Sequence, residues 1–179
     1  EHEAYGFKFP STKERLDELD RQLEELIRQW TDAPDIWPKP VQQPHPPIIV
    51  GGTAKPRTVR AAVRFADEYN TVFAAVDEAR ERKRILDEAA REAGRDPLRF
   101  SLMTGCVVGR DESELRDRLK QFKNISGQDA PPISGTVDQV VAQLREYEQA
   151  GVERVMLQHL VHEDVEMVSV LGEVAHHLR

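Results

Sequence analysis

Residues 46–57 read PPIIVGGTAKPR, and they carry the clearest fold signal in the chain. A short apolar run ends in two glycines and a hydroxyl residue, and a helical pattern then opens at Pro56, where a missing N–H costs nothing. The first turn of such a helix offers unpaired N–H groups and a partial positive charge, and glycine allows close approach of an anion. Gly51, Gly52 and Thr53 are therefore candidate phosphate ligands, with a plain tight turn as the alternative.

The same alternation of short apolar runs and helical stripes continues to the end of the chain. Four strands are expected, at Ile48–Val50, Asn70–Phe73, Phe100–Val108 and Arg154–Leu160. Six helices are expected, and they begin at Ser11, Pro56, Asp77, Asp111, Thr136 and near Asp164. Because the strands alternate with helices, the pattern favours a parallel sheet with the helices outside it.

Capping signals mark two of the helix starts, and two other stretches show no periodicity. The tetrapeptides STKE at 11–14 and TVDQ at 136–139 have the capping-box pattern of a hydroxyl residue followed three positions later by Glu or Gln. Residues 31–47 are rich in proline and are expected to form an extended crossing. Residues 123–134 contain Gly, Pro, Asn and Asp, so we expect a surface loop there.

Four short motifs occur in a characteristic order along the chain. They are PPIIVGG at 46–52, ADEYN at 66–70, GTVDQV at 135–140 and AGVERVML at 150–157. Each is ordinary by itself, but their order and spacing resemble the C-terminal part of the luciferase-like monooxygenases, especially the deazaflavin-dependent branch. The resemblance covers nearly the whole chain.

This resemblance implies an α/β fold class, namely the C-terminal half of a (β/α)8 TIM-type barrel. Residues 1–179 would form a single partial module that corresponds to helix four and strands five to eight, with about four parallel strands and outer helices. The length agrees, since a complete barrel typically needs about 250 residues and rarely fewer than about 200. The chain has 179.

The resemblance also implies a chemistry. It predicts a flavin- or deazaflavin-dependent oxidoreductase module that transfers a hydride to or from a small organic substrate, with coenzyme F420 or FMN as the cofactor. Gly51, Gly52 and Thr53 would hold the cofactor phosphate, and Asn70 would lie near them at the same end of the sheet. Much of the ring and substrate pocket of the family comes from its first four strands. No catalytic residue is therefore assigned, and the chain alone is expected to be inactive.

A second hypothesis comes from a different class of protein. Four parallel strands cannot close a barrel, so the outer strands would leave N–H and C=O groups unpaired. The chain would then be a non-catalytic half-barrel fragment or structural module. In either case we expect a homo-oligomer or a complex with a complementary N-terminal half.

The composition limits the remaining classes. A net charge of −7 argues against nucleic-acid binding. No apolar run approaches the roughly 18 residues of a membrane span, and no secretory signal is visible, so the expected localisation is cytoplasmic.

A few isolated side chains carry weaker signals. Cys106 lies in an apolar run, excludes an internal disulfide and is expected to be a buried, reduced thiol. His159 and His162 lack a third ligand at a matching spacing, so no metal site is predicted. Lys55 and Arg57 either add positive charge beside the glycine loop or are solvated surface residues.

Overall fold

Six helices and five strands alternate in the computed structural model, which describes residues 1–179. The helices are α1 (Thr12–Thr31), α2 (Pro56–Phe65), α3 (Val76–Glu92), α4 (Glu112–Ser126), α5 (Val137–Gln149) and α6 (Val165–His177). The strands are β1 (Ile49–Gly51), β2 (Glu68–Val72), β3 (Arg99–Gly109), β4 (Ile133–Thr136) and β5 (Arg154–Gln158). All six predicted helices and all four predicted strands are present.

Every strand pairing in the sheet is parallel. β1 pairs with β2, and β2 pairs with the first part of β3, with Asn70 opposite Ser101. β5 also pairs with β3, with Arg154 opposite Ser101, so β3 lies between β2 and β5. The parallel pairing of β1 with β2 confirms the predicted α/β architecture, because the crossover helix α2 joins them on one face.

The region predicted as a loop at 123–134 is only partly irregular. Helix α4 extends to Ser126 and ends at Gly127, which adopts the left-handed conformation (φ 73°) of a C-terminal cap. Ile133 then begins β4, which pairs with the end of β3, where Cys106 lies opposite Ile133. The prediction of four strands was therefore wrong by one. A run of four residues that contains Gly135 shows no readable period, and only its neighbour β3 makes it a strand.

Sheet and helices share one apolar core, and the helix starts follow their capping signals. At α1 the Ser11 N–H donates to Glu14 Oε2 (2.8 Å), and the Glu14 N–H donates to Ser11 Oγ. Residues 32–48 form neither helix nor strand, so the crossing predicted at 31–47 is confirmed except for Thr31, which ends α1. None of the six helices combines the length and the apolar character needed to cross a bilayer.

The sheet is open at both sides. β1 pairs only with β2 and β5 pairs only with β3, so each has one edge without a partner strand. Ile49 on β1 is 48% exposed, although it follows a buried residue in an apolar run. The fold is thus the partial TIM-type barrel that the resemblance implies, and it has the two unpaired edges that a half-barrel must have.

Candidate functional site

The loop between β1 and α2 brings the predicted site residues together. Gly51, the last residue of β1, lies opposite Asn70 of β2, and the Gly52 N–H donates to the Asn70 carbonyl oxygen (3.0 Å). Thr53 follows and is exposed. The Asn70 side-chain amide donates to Ser101 Oγ (3.0 Å), which fixes it along the sheet toward β3 and not toward the loop. Gly52 and Thr53 lie in the loop, Gly51 ends the strand before it, and Asn70 flanks it.

Four backbone N–H groups of the loop and of the first turn of α2 have no acceptor. The N–H groups of Thr53, Lys55, Arg57 and Thr58 donate no hydrogen bond within the chain, while Pro56 has no N–H to donate. Unpaired N–H groups at a helix start, together with the helix dipole, favour an anion. The loop therefore has the donor set that a phosphate group needs.

The two glycines of the loop have different surroundings. A Cβ atom on Gly51 would meet only the Asn70 carbonyl oxygen, at 3.6 Å, which is an ordinary contact. A Cβ atom on Gly52 would lie 2.8 Å from the Tyr69 hydroxyl. Gly52 is therefore required by the packing of Tyr69 beneath the loop, whereas Gly51 leaves open space that an incoming ligand can use. The two glycines look equivalent in the sequence pattern, and their different surroundings are visible only in the structure.

Tyr69 is a loop-forming residue that the sequence analysis missed. Its side chain is completely buried, and its hydroxyl accepts the Ala54 N–H at 2.8 Å. Ala54 has a positive φ of 55°, which is uncommon for a residue with a Cβ atom. A buried tyrosine needs a partner for its hydroxyl, and this rule could have drawn attention to Tyr69 in the ADEYN motif.

The two basic residues near the loop have different roles. The Arg57 guanidinium group pairs with Asp17 of α1 and lies 3.8 Å from Asp20, so it joins α2 to α1. The Arg57 side chain is thus engaged by the carboxylates of α1 and is not a freely solvated surface charge. Lys55 is exposed beside the loop.

The thiol and the two histidines do not form a reactive cluster. Cys106 is completely buried, and burial raises the pKa of its thiol to about 12, so it is not ionised at neutral pH. The prediction of a buried, free thiol is confirmed. The rings of His159 and His162 lie 6.0 Å apart, and no group of three or more possible metal ligands occurs in the chain.

An ion pair links β2 and β5 across β3. Arg154 Nη1 lies 3.1 Å from Glu68 Oε2, and the Glu68 carboxyl group is buried, with its second oxygen lacking any hydrogen bond. Glu68 and Asn70 are two residues apart on β2, so their side chains share a face of the sheet. That face thus carries charged and amide groups as well as apolar ones. No sequence pattern indicates this pair, because its members are 86 positions apart.

Known proteins share this fold. The monooxygenase RslO1 from Streptomyces bottropensis has a TM-score of 0.74 and 19% identity, over 98% of this chain and 65% of that one. An F420-dependent secondary alcohol dehydrogenase, solved with an F420–acetone adduct, has a TM-score of 0.74 and 16% identity, over 96% and 64%. The riboflavin lyase RcaE, solved with modified FMN and riboflavin, has a TM-score of 0.71 and 12% identity, over 98% and 60%.

These structures are longer than the present chain, which spans 60–65% of their length. A search of curated protein sequences found no significant match. The family model described as luciferase-like monooxygenase matches residues 1–132, which is more than half of the chain. The chain therefore belongs to the luciferase-like monooxygenase family.

Proposed function

We propose that this chain is a flavin- or deazaflavin-linked oxidoreductase module that acts on a small organic substrate. The cofactor is coenzyme F420 or FMN, and its phosphate group binds at Gly51, Gly52 and Thr53, flanked by Asn70. Family membership supports the reaction class, and the related structures solved with F420 or FMN support the choice of cofactor. Such a cofactor, when bound, supplies the hydride chemistry.

One observation carries the proposed site. The N–H groups of Thr53, Lys55, Arg57 and Thr58 are free, and they lie at the carboxyl end of a parallel strand. Ligands of (β/α)8 folds bind at this end of the sheet, frequently with a phosphate at a helix N-terminus. Open space above Gly51 lets a phosphate oxygen approach the backbone, so the residues present fit the phosphate group of either cofactor.

The role of this chain is to bind and orient the cofactor. The N–H groups would hold the phosphate, and the exposed Lys55 would add a positive charge that solvent screens. Asn70 is held in one orientation by its hydrogen bond to Ser101, so it would present a fixed surface beside Gly51. Fixed groups of this kind reduce the entropy that binding costs.

A glycine substitution tests the site directly. Gly51→Val should weaken binding of FMN or F420 by roughly tenfold or more, because the new side chain fills the space that the phosphate needs. It should change the midpoint of thermal unfolding little, because a Cβ at Gly51 meets no close neighbour. The measurement is a fluorescence titration of each cofactor into wild type and variant.

Two comparisons make this titration specific. Lys55→Ala removes only a solvated charge, so its effect should be no more than a few-fold. Riboflavin has the ring of FMN without its phosphate, and it should bind more weakly than FMN to the wild-type protein. Equal affinity of the wild type for riboflavin and FMN, or equal affinity of wild type and Gly51→Val for FMN, would remove the proposed phosphate site.

A second candidate function is that of a half-barrel that associates, either with itself or with a complementary N-terminal half. The observation that favours it is the pair of open edges on β1 and β5. Unpaired strand edges with exposed apolar side chains promote association, and Ile49 supplies such a side chain on β1. This function is compatible with cofactor binding, because association would provide the rest of the pocket.

Association predicts a sedimentation result. The chain should sediment faster than a monomer at micromolar concentrations, and Ile49→Lys should shift it toward the monomer by placing a charge at the open edge. Ile125→Lys is the matched control, because Ile125 is 59% exposed but lies on helix α4 and not on an edge strand. A wild-type chain that is folded and monomeric throughout this range would contradict the proposal.

A further inference from the structure

We infer that Tyr69 is the positioning residue of the phosphate-binding loop. Its hydroxyl holds Ala54 in a left-handed conformation, and this conformation turns the neighbouring N–H groups toward the ligand. The inference rests on the proposed function, since it assumes that the loop between β1 and α2 receives a phosphate. Tyr69 itself lies beneath the loop and does not touch the ligand.

The contacts of Tyr69 link the loop to the first turn of α2. Its hydroxyl oxygen accepts the Ala54 N–H at 2.8 Å and lies 3.5 Å from Thr58 Oγ1 in the first turn of α2. The ring is completely buried on β2 and cannot move to another position without opening the core. A single fixed oxygen atom therefore lies against both the loop residue Ala54 and Thr58 of α2.

The conformation of Ala54 needs this support. A left-handed alanine is unfavourable because its Cβ atom crowds the backbone, so it persists only where the surrounding structure enforces it. The Tyr69 hydroxyl takes the N–H of Ala54 and leaves the adjacent N–H groups of Thr53 and Lys55 without an acceptor. Without the hydroxyl, Ala54 would relax to a negative φ, and the peptide groups on either side of it would rotate.

Gly52 and Tyr69 form a matched pair. A methyl group at position 52 would lie 2.8 Å from the Tyr69 oxygen, a distance that requires one of the two to move. The next neighbours, Thr58 Oγ1 and Cβ, lie at 3.5 and 3.7 Å, which are ordinary contacts. The hydroxyl alone therefore excludes a side chain at position 52. Its removal should make alanine acceptable there.

The test uses Tyr69→Phe, which removes one oxygen atom and keeps the ring. Inorganic phosphate is titrated into the labelled chain, and the amide signals of Thr53, Lys55, Arg57 and Thr58 are followed in proton–nitrogen spectra, with chloride as the ionic-strength control. The wild-type signals should shift, and the affinity of Tyr69→Phe should be roughly tenfold lower, the effect of losing one well-placed hydrogen bond. The Ala54 amide should also exchange with solvent faster in the variant.

Tyr147→Phe is the matched control. The Tyr147 side chain is also buried, and its hydroxyl donates to the Ala74 carbonyl oxygen (2.9 Å) in the loop after β2. Tyr147→Phe and Tyr69→Phe remove the same atom, and each loses a buried hydrogen bond to the backbone of a loop. An effect that reflects only lost stability should therefore appear in both variants. Phosphate affinity should fall in Tyr69→Phe alone.

A double-mutant cycle keeps the inference testable even if Tyr69→Phe is poorly stable. Gly52→Ala should lower the unfolding midpoint of the wild-type protein and have little further effect in the Tyr69→Phe background. Equal effects in both backgrounds would show that the hydroxyl does not shape the loop. If the amide signals of the wild-type protein do not shift when phosphate is added, the proposed phosphate site is contradicted. If the wild-type protein and Tyr69→Phe bind phosphate with equal affinity, only the role of Tyr69 is overturned.

Discussion

Replacement of Arg118 by alanine should lower the free energy of unfolding by about 3–5 kcal/mol. The Arg118 guanidinium group is buried and donates to the Val108 carbonyl oxygen (2.8 Å) and to Asp164 Oδ2 (2.6 Å). It also lies 2.9 Å from Glu114 Oε1. The substitution would leave a buried carbonyl and a largely buried carboxylate without their donor, so the loss should be large. Chemical denaturation followed by circular dichroism measures it.

The matched control is Arg84→Ala. Arg84 also binds two carboxylates, those of Glu81 and Glu88, but its side chain is 55% exposed on α3. Water replaces these partners easily, so the unfolding midpoint should hardly change. Similar losses for Arg118→Ala and Arg84→Ala would show that burial does not determine the contribution of these arginines.

The same ion pair predicts an acid dependence. The hydrogen bond from Arg118 lowers the pKa of the Asp164 carboxyl group, against the opposing effect of burial. A lowered pKa in the folded state means that the stabilisation is complete above the ordinary aspartate pKa and is lost as the pH falls below it. Asp164→Asn should therefore unfold with a flatter pH profile below about pH 4 than the wild type. Parallel profiles would contradict this assignment.

Gly109→Ala should be the second strongly destabilising change, with a loss of about 3 kcal/mol. Gly109 ends β3 where the chain turns into α4. A Cβ atom there would lie 2.5 Å from Leu115 N, 2.8 Å from Leu115 Cα and 2.9 Å from the Asp111 carbonyl oxygen. All three neighbours are backbone atoms, so no side-chain rotation can make room, and β3 and α4 would have to separate.

Gly172→Ala is the opposite case with the same chemical change. Gly172 lies within α6 and is exposed, and a Cβ atom there would have no neighbour outside its own helix backbone within 4 Å. Alanine is the better helix former, so this variant should gain roughly 0.5–1 kcal/mol. The pair of variants is measured by the same denaturation experiment. If both substitutions changed the free energy of unfolding in the same direction, the close approach at Gly109 would not limit the packing of α4.

Elements that depend on local interactions were predictable from the sequence alone. Helix α1 begins at the Ser11–Glu14 capping box, and α5 begins where the Thr136 N–H donates to Gln139 Oε1 (2.8 Å). Both pairs are three residues apart, so the spacing is readable before the chain folds. The alternation of strands and helices was likewise sufficient to predict a parallel sheet, and the order of four short motifs was sufficient to identify the family.

Features that depend on contacts between residues distant in sequence became visible only in the folded structure. β4 is a strand because the end of β3 lies beside it. Arg57 is directed to Asp17, which lies 40 positions away, and not to the glycine loop. Gly51 and Gly52 look equivalent in sequence, yet one borders open space and the other borders the Tyr69 hydroxyl. Local propensity reports the preferences of neighbouring residues, whereas packing across the sheet brings distant groups into contact and selects which backbone groups remain free for a ligand.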